Sequence, residues 1–260
     1  MANSKYAYVK SFEVEERILP EVWIVVRLDG RCFSRFAEEH RLQKPNDERC
    51  LRLMEHSARK VLESFDDCFL AYGQSDEFSF VLRKQTNIFN RRKSKILSCV
   101  VSLFSSSFVF HWKTFFEDTE LQYPPTFDGR VVVYPSEQTL RDYLSWRQVD
   151  CHINNQYNTC FWLLVQNGAT PKEAYETLKG TLSDFKNELL FQKFGINYAH
   201  LEARFRKGST LFKKAREDSL HSSKTTGYEI ILTHEDIIHD AFWDQHRELL
   251  DSSVGRKKSR

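Results

Sequence analysis

Net charge is nearly absent from this 260-residue chain: 38 Lys and Arg oppose 36 Asp and Glu, leaving +2. That excludes a protein that grips nucleic acid over its whole surface; any such contact must come from a local patch. Long hydrophobic runs are lacking as well. The longest, residues 96–112, is interrupted by Ser98, Ser102, Ser105, Ser106 and Ser107. A membrane span needs about 20 apolar residues, so no membrane partner is expected. Residues 1–13 are polar and charged, unlike a secretory leader. The six cysteines (Cys32, Cys50, Cys68, Cys99, Cys151, Cys160) show neither C-x-x-C nor zinc spacing and read as reduced thiols of an intracellular protein. The expected compartment is the cytoplasm, with the nucleus as a second. There is no internal repeat and no low-complexity linker.

What is there is globular: 41% hydrophobic, 28% charged, with 21 Phe to fill a core and stack on bases. Two stretches organise the rest. WIVVRLDG at 23–30 is a short apolar run rich in β-branched residues and closed by Gly, the pattern of a buried strand. LAYGQSDEFSFVL at 70–82 reads as a hairpin turning at Gly73, Gln74 and Ser75. In its return strand Asp76, Phe78, Phe80 and Leu82 share one face, and Glu77 points to the other. One carboxylate, Asp29, therefore ends the first strand and another, Asp76, begins the third. At about 4 Å two such charges repel by roughly 4 kcal/mol at an effective dielectric of 20. Either one is protonated or a divalent cation lies between them, and hard oxygens suit Mg²⁺. Gly30, lacking Cβ, lets its carbonyl approach such an ion. The plainer alternative is an ordinary turn and an exposed hairpin residue.

Along the chain, residues 31–40 read as a short helix or wrapped loop. Asn46 or Asp47 can cap a helix whose buried stripe is Cys50, Leu51, Met54, Ala58, Val61, Leu62 and Phe65. A second long helix spans 91–116 and a fourth strand 127–134. The order β-α-β-β-α-β is the ferredoxin-like pattern. Right-handed crossovers then set the first and third strands side by side, with Asp29 and Asp76 on one edge. The second half is mostly helical: a helix capped by Ser136 and running toward Gln166, one opened by Thr170-Pro171, one stopped by Gly195 and a terminal one at 236–250. Strands at 210–215 and 228–233 form a small hairpin joined by a polar segment. The expected divisions are 1–135, 136–250 and a basic disordered tail at 251–260.

Two further clusters stand out. Arg91, Arg92, Lys93 and Lys95 open the second helix and could hold a polyphosphate, or be a solvated face. DCHINNQYN at 150–158 places His152, Asn155 and Thr159 on one helical face. That stripe could bind a nucleotide, shuttle a proton, or be a paired polar network.

RLDGR at 27–31, KPND at 44–47, YGQSDEFSF at 72–80, FDGRVVVYPS at 127–136, DYLSWRQVDCHINNQYN at 142–158 and the later INY and RKG resemble the tRNA-histidine guanylyltransferases. The likeness spans roughly residues 1–211. It implies an α+β fold: a polymerase- or cyclase-like palm with helices on one face of the sheet, then a mostly helical tRNA-facing part. The implied reaction is addition of one guanosine to the 5′ end of tRNA(His). ATP activates the 5′-phosphate, the GTP 3′-hydroxyl attacks and AMP leaves. By position, Asp29, Gly30 and Asp76 would bind two Mg²⁺. GTP or ATP would lie among Asp29, Gly30, Arg31, Cys32, Phe33, Ser34, Lys44, Asp47, Ser75, Asp76, Arg92 and Lys95, with backbone amides of residues 31–33 on the triphosphate. Lys44, His152 and Asn155 join Asp29 and Asp76 as catalytic candidates. Arg27, His152, Asn155, Lys186, Asn197, Arg206 and Lys207 would face tRNA, in a homotetramer built as a dimer of dimers. Ser34 replaces a common His and Gln156 a common Leu. Glu77 is a secondary candidate ligand. The rivals are a nucleotidyl cyclase-like enzyme and a non-catalytic RNA-binding module.

Overall fold

The computed structural model describes residues 4–215 and 227–251; the polar segment inside the C-terminal hairpin and nearly all of the basic tail fall outside them. β1 (Trp23–Gly30) is preceded by an arm carrying a 3-10 turn at Ala7–Phe12 and followed by a short α1 (Phe33–Glu39). α2 (Glu48–Ser64) starts where Asp47 accepts the Arg49 amide, so Asp47 and not Asn46 is the cap. Its residues Cys50, Leu53, Met54, Ala58, Val61 and Leu62 form the buried stripe; each fully buried aliphatic side chain contributes about 1.5–3 kcal/mol. β2 (Cys68–Gln74) and β3 (Glu77–Leu82) make the expected hairpin, and Ser75 takes a left-handed φ of 51° at its turn.

The second long helix is shorter and broken: α3 (Lys93–Phe110) is followed by a one-turn α4 (Trp112–Phe115), after a 3-10 turn at Ile88–Arg91. Arg91 is buried, and its guanidinium donates to the carbonyls of Ile18, Leu19, Val22, Lys84 and Thr86. It ties the N-terminal arm to the sheet and does not belong to an exposed basic face. α3 is long and apolar enough to cross a membrane by length and composition, yet Ile96, Val100, Phe104 and Phe108 pack into the palm core.

β4 (Phe127–Tyr134) and the 30-residue α5 (Glu137–Gln166) follow, the latter capped by a reciprocal Ser136–Thr139 box. α6 (Pro171–Leu178), α7 (Ser183–Phe194) and α8 (Ala203–Lys207) pack along α5, with Gly195 ending α7 at φ 67°. β5 (Ser209–Ala215), β6 (Tyr228–Thr233) and a short α9 (Asp240–Gln245) complete the chain. α9 ends well before 250, and a 3-10 turn at Arg247–Leu249 replaces the rest of the expected terminal helix.

All neighbours in the sheet are antiparallel and the order is β4-β1-β3-β2-β5-β6. The first four strands are the expected ferredoxin-like arrangement. The C-terminal hairpin does not stand apart in a helical body: β5 pairs with β2 and extends the palm. An unpaired β2 edge would expose a row of backbone donors and acceptors, and β5 covers it. Helices also lie on both faces, not one. Ile24, Val26 and Leu28 point with Phe78 and Phe80 toward α2 and α3. Trp23 and Val25 point the other way, onto Leu140, Tyr143 and Leu144 of α5 and Phe242 and Trp243 of α9. A third cluster, built from Cys160, Leu164, Ala174, Leu178, Leu190 and Tyr198, holds α6 and α7 to the far half of α5.

Candidate active site

Strand alternation and register set the first carboxylate. Asp29 lies opposite Glu77 across β1–β3 and opposite Asp128 across β1–β4. Cross-strand partners share a face, so Glu77 stands beside Asp29, contrary to the expectation that it turns away from the site. Asp76 sits in the turn, before alternation resumes at Glu77. The Gly30 amide donates to the Asp76 carbonyl at 3.0 Å, and a Cβ on Gly30 would come within 2.9 Å of the Asp76 Cβ. The strand end and the turn therefore touch, and Asp29 and Asp76 line one cavity of about 290 Å³. Burial, and then the charge of Asp29, push the Asp76 carboxyl above its usual range.

Arg27 lies between Asp29 and Glu77, its Nη2 at 3.2 Å from one carboxylate and 2.5 Å from the other. It faces this cluster, not a tRNA surface. Arg147, from α5, is 3% exposed, donates to both Glu77 oxygens at 3.0 and 3.3 Å and lies 3.4 Å from Asp150. The cavity is lined by Asp29, Glu55, Asp76, Glu77 and Asp150 against Arg27 and Arg204, with Arg147 pairing with Glu77 and Asp150, an excess of two negative charges. Among the described residues no three His, Cys, Asp or Glu side chains form a metal-binding group. Two carboxylates and a backbone carbonyl, the shell completed by substrate oxygens, is a donor set Mg²⁺ accepts, and the unbalanced charge fits a divalent cation.

A second cavity of about 660 Å³ adjoins the first and shares Pro45, Asn46, Leu51, Ser75, Asp76 and Asn158 with it. Phe33, Ser34, Lys44 and Asp47 line it from the palm; Tyr157, Phe161 and Trp162 line it from α5. Lys44 holds its ammonium 5.3 Å from the Trp162 ring centre. Asp47 is 5% exposed and accepts from the Gln43 and Arg49 amides and the Arg49 guanidinium. Burial acts to raise its pKa, and these hydrogen bonds outweigh it and hold the carboxyl low. Its role is the cap and loop it closes. Cys32 is left-handed at φ 54° and starts α1. The Arg31 amide is engaged by the Thr126 carbonyl at 2.9 Å, so it cannot serve a triphosphate; the first-turn amides of α1 have no intrahelical partner.

The polar stretch of α5 is a paired network. Asn155 is 7% exposed, donates to the Tyr198 hydroxyl at 3.0 Å and accepts from Asn46 at 2.8 Å. His152 packs its ring against Tyr198, and burial, then Arg206 and Lys207, lower its pKa. Gln156, fully buried, bonds Ser183 and Asn187 of α7, which is how that position accommodates an amide.

Other expected site residues are elsewhere. Arg91, just before α3, donates to the Val22 and Lys84 carbonyls, at the end of the sheet where Ile24 meets Leu82, opposite Asp29. Five residues of strand separate those ends, about 17 Å. There Arg92 pairs with Glu15 at 2.6 Å and Lys95 lies 5.1 Å from the Phe89 ring centre, so within one chain neither reaches the cavities. Lys186 is buried on the Thr181 and Leu182 carbonyls, not presented to tRNA. Arg206 donates to the Leu201 carbonyl, Lys207 pairs with Asp236 and Asn197 caps the 3-10 turn at Tyr198–His200. Sequence reasoning missed Arg147 and Tyr198, whose partners Glu77 and Asn155 are 70 and 43 residues away and leave no local pattern, and Asp150, which joins the site through Arg147.

An antiparallel palm whose central strand ends in paired carboxylates, beside two cavities of nucleotide size, defines a nucleotidyltransferase. Residues 6–135 match the family model described as tRNAHis guanylyltransferase, and 138–246 match the Thg1 C terminal domain. The chain belongs to the tRNA(His) guanylyltransferase family. It is 52% identical to a probable tRNA(His) guanylyltransferase of Dictyostelium discoideum, over 97% of this chain and 100% of that one. With the Homo sapiens relative the identity is 51%, over 96% and 89%. The crystal structure of the Saccharomyces cerevisiae enzyme superposes with a TM-score of 0.77 at 45% identity, covering 80% of this chain and 93% of that one. A bacterial Thg1-like protein in complex with ATP shares the fold, with a TM-score of 0.72 at 19% identity over 94% and 96%.

Proposed function

We propose that this protein adds a single guanosine to the 5′ end of tRNA(His) by Mg²⁺-dependent nucleotidyl transfer. The observation that carries the reading is the contact of Gly30 with Asp76, which brings two carboxylates and a glycine backbone to one edge between two cavities. Asp29, Asp76 and the Gly30 carbonyl would hold the metal, with two ions as the family resemblance implies. When bound, it supplies charge neutralisation and alignment for in-line displacement. The protein's own part is positioning, as is usual in phosphoryl transfer. Lys44 places a cation at the wall of the larger cavity, and Tyr157, Phe161 and Trp162 offer surfaces for a base.

An oxygen of the tRNA 5′-phosphate attacks the α-phosphorus of ATP and pyrophosphate leaves. The 3′-hydroxyl of GTP then attacks the activated 5′-phosphorus and AMP leaves. Water finally attacks the α-phosphorus of the added guanosine, leaving a 5′-monophosphate and releasing pyrophosphate. Of the first two attacks only the second releases a proton, from the GTP 3′-hydroxyl; His152 lines neither cavity, and a role as acceptor of that proton rests on the family resemblance alone. Assembly as a dimer of dimers, which the family resemblance implies, is tested by light scattering. The decisive assay is transfer of labelled GTP to 5′-phosphorylated tRNA(His), with and without ATP. ATP-dependent incorporation of one nucleotide is expected; a cyclic product from GTP and Mg²⁺ alone would replace this reading with a cyclase.

A further inference from the structure

We infer that Arg147 is a positioning residue for Asp29, 118 residues away in sequence, acting through Glu77 and Arg27. The inference rests on the reading of Asp29 as a metal carboxylate. Its basis is an unbroken chain of charge pairs: Arg147 to Glu77 at 3.0 and 3.3 Å, Glu77 to Arg27 at 2.5 Å, and Arg27 to Asp29 at 3.2 Å. Every link is anchored. The Arg147 guanidinium lies 3.6 Å from the Trp146 ring centre and reaches Asp150 at 3.4 Å, so it has little freedom to turn. Glu77 is fixed in the sheet and 6% exposed. The Nε atoms of both Arg27 and Arg147 are buried without a hydrogen-bond partner. A structural ion pair that leaves two donors unsatisfied is a poor stabiliser. The same geometry suits holding one carboxylate oxygen in a fixed direction, as residues behind a metal ligand do.

Without Arg147, Glu77 keeps only Arg27. That pair tightens and draws Arg27 off Asp29, which then loses its orientation. Removing such a support commonly costs 10–100-fold in metal affinity, and two intervening links place this case near the lower end, about tenfold.

The test is Mn²⁺ binding to the full-length protein, read from the free-ion electron paramagnetic resonance signal, with kcat, KM and the melting temperature alongside. Asp29→Ala comes first: if it leaves Mn²⁺ binding intact, the metal reading itself is wrong. Given its loss, Arg147→Gln is expected to weaken Mn²⁺ about tenfold, with kcat falling at low metal, KM for GTP unchanged, and Arg147→Lys restoring part of the affinity. Adding Arg147→Gln to Glu77→Gln should weaken binding no further than Glu77→Gln alone, since both cut one chain. Gln148→Leu, next to Arg147 on α5, removes bonds to Lys207, Glu235 and Ile237; it should lower the melting temperature and leave Mn²⁺ affinity unchanged. Unchanged Mn²⁺ affinity in Arg147→Gln, or additive losses in the double variant, would overturn the inference. If Arg147→Gln does not fold, Arg147→Lys alone decides by the same two criteria.

Discussion

Replacing Gly30 by alanine perturbs the contact on which the site rests. The added Cβ would lie 2.4 and 2.8 Å from Phe33 ring atoms and 2.9 Å from the Asp76 Cβ. The Phe33 ring cannot simply swing away. It is stacked on Phe36 at 4.8 Å between ring centres and packed on Phe127 at 5.7 Å and Phe108 at 6.2 Å. The alternative is to push Asp76 and its turn off the end of β1, stretching the Gly30–Asp76 hydrogen bond of 3.0 Å. Overpacking of one methyl costs about 1–3 kcal/mol, which for a chain of this size lowers the melting temperature by roughly 2–4 °C per kcal/mol. The chemical cost is larger, because a displacement of about 1 Å at a reacting centre can cost ~10²-fold in rate. Gly30→Ala should thus melt a few degrees early, bind tRNA within a few-fold of wild type and lose about a hundredfold in guanosine transfer. Wild-type turnover with an unchanged melting temperature would show that the strand end and the turn are not in contact, and the site as described would not exist.

Asp29→Ala or Asp76→Ala should abolish guanosine addition while tRNA binding, by filter retention, stays within a few-fold; retained transfer in either defeats the metal assignment. The raised carboxyl of Asp76 opposes folding of the metal-free protein where it is ionised. Asp76→Asn should therefore melt higher than wild type at pH 7, and the gap should close as pH falls through the folded pKa toward the ordinary value of about 3.9. Asp236 has the opposite sign: burial opposes its ionisation, but Lys207, His239 and the amides of Ile238 and His239 hold its pKa low. Asp236→Ala should cost about 1–2 kcal/mol above pH 4, as lost caps do, and the deficit should vanish as pH drops further. Gln156→Leu should shift the melting temperature by less than about 4 °C, since Ser183 and Asn187 are exposed and water replaces the lost amide. Lys186→Gln should lower the melting temperature with tRNA affinity unchanged, because its ammonium serves two backbone carbonyls.

Local chemistry in the chain announced much of the architecture. The run from Trp23 to Gly30 became β1 and the hairpin formed as β2–β3, although Gly73 and Gln74 stay in the strand and the turn is at Ser75 and Asp76. Asp47, Ser136 and Thr170 cap the helices whose starts they mark. These features depend on interactions within four residues. The break between α3 and α4 had no such mark: neither glycine nor proline stands near His111, and tertiary packing of Trp112 decided it.

Right-handed crossovers put the end of β1 beside the start of β3, so two acids at those positions had to come to one edge; the turn before Glu77, not alternation, set where Asp76 stands. Only the folded chain decided what surrounds them. β5 joined β2 and carried the hairpin into the palm, and α5 covered the second face. Arg27 and Glu77 turned into the cluster, Arg147 closed it from α5, and Arg92 and Lys95 went to the opposite end of the sheet. A strand records which face each residue takes but not which distant helix will pack there. Pairings across 50 or 70 residues cost loop entropy and are selected by the whole core at once, so no short stretch of sequence contains them.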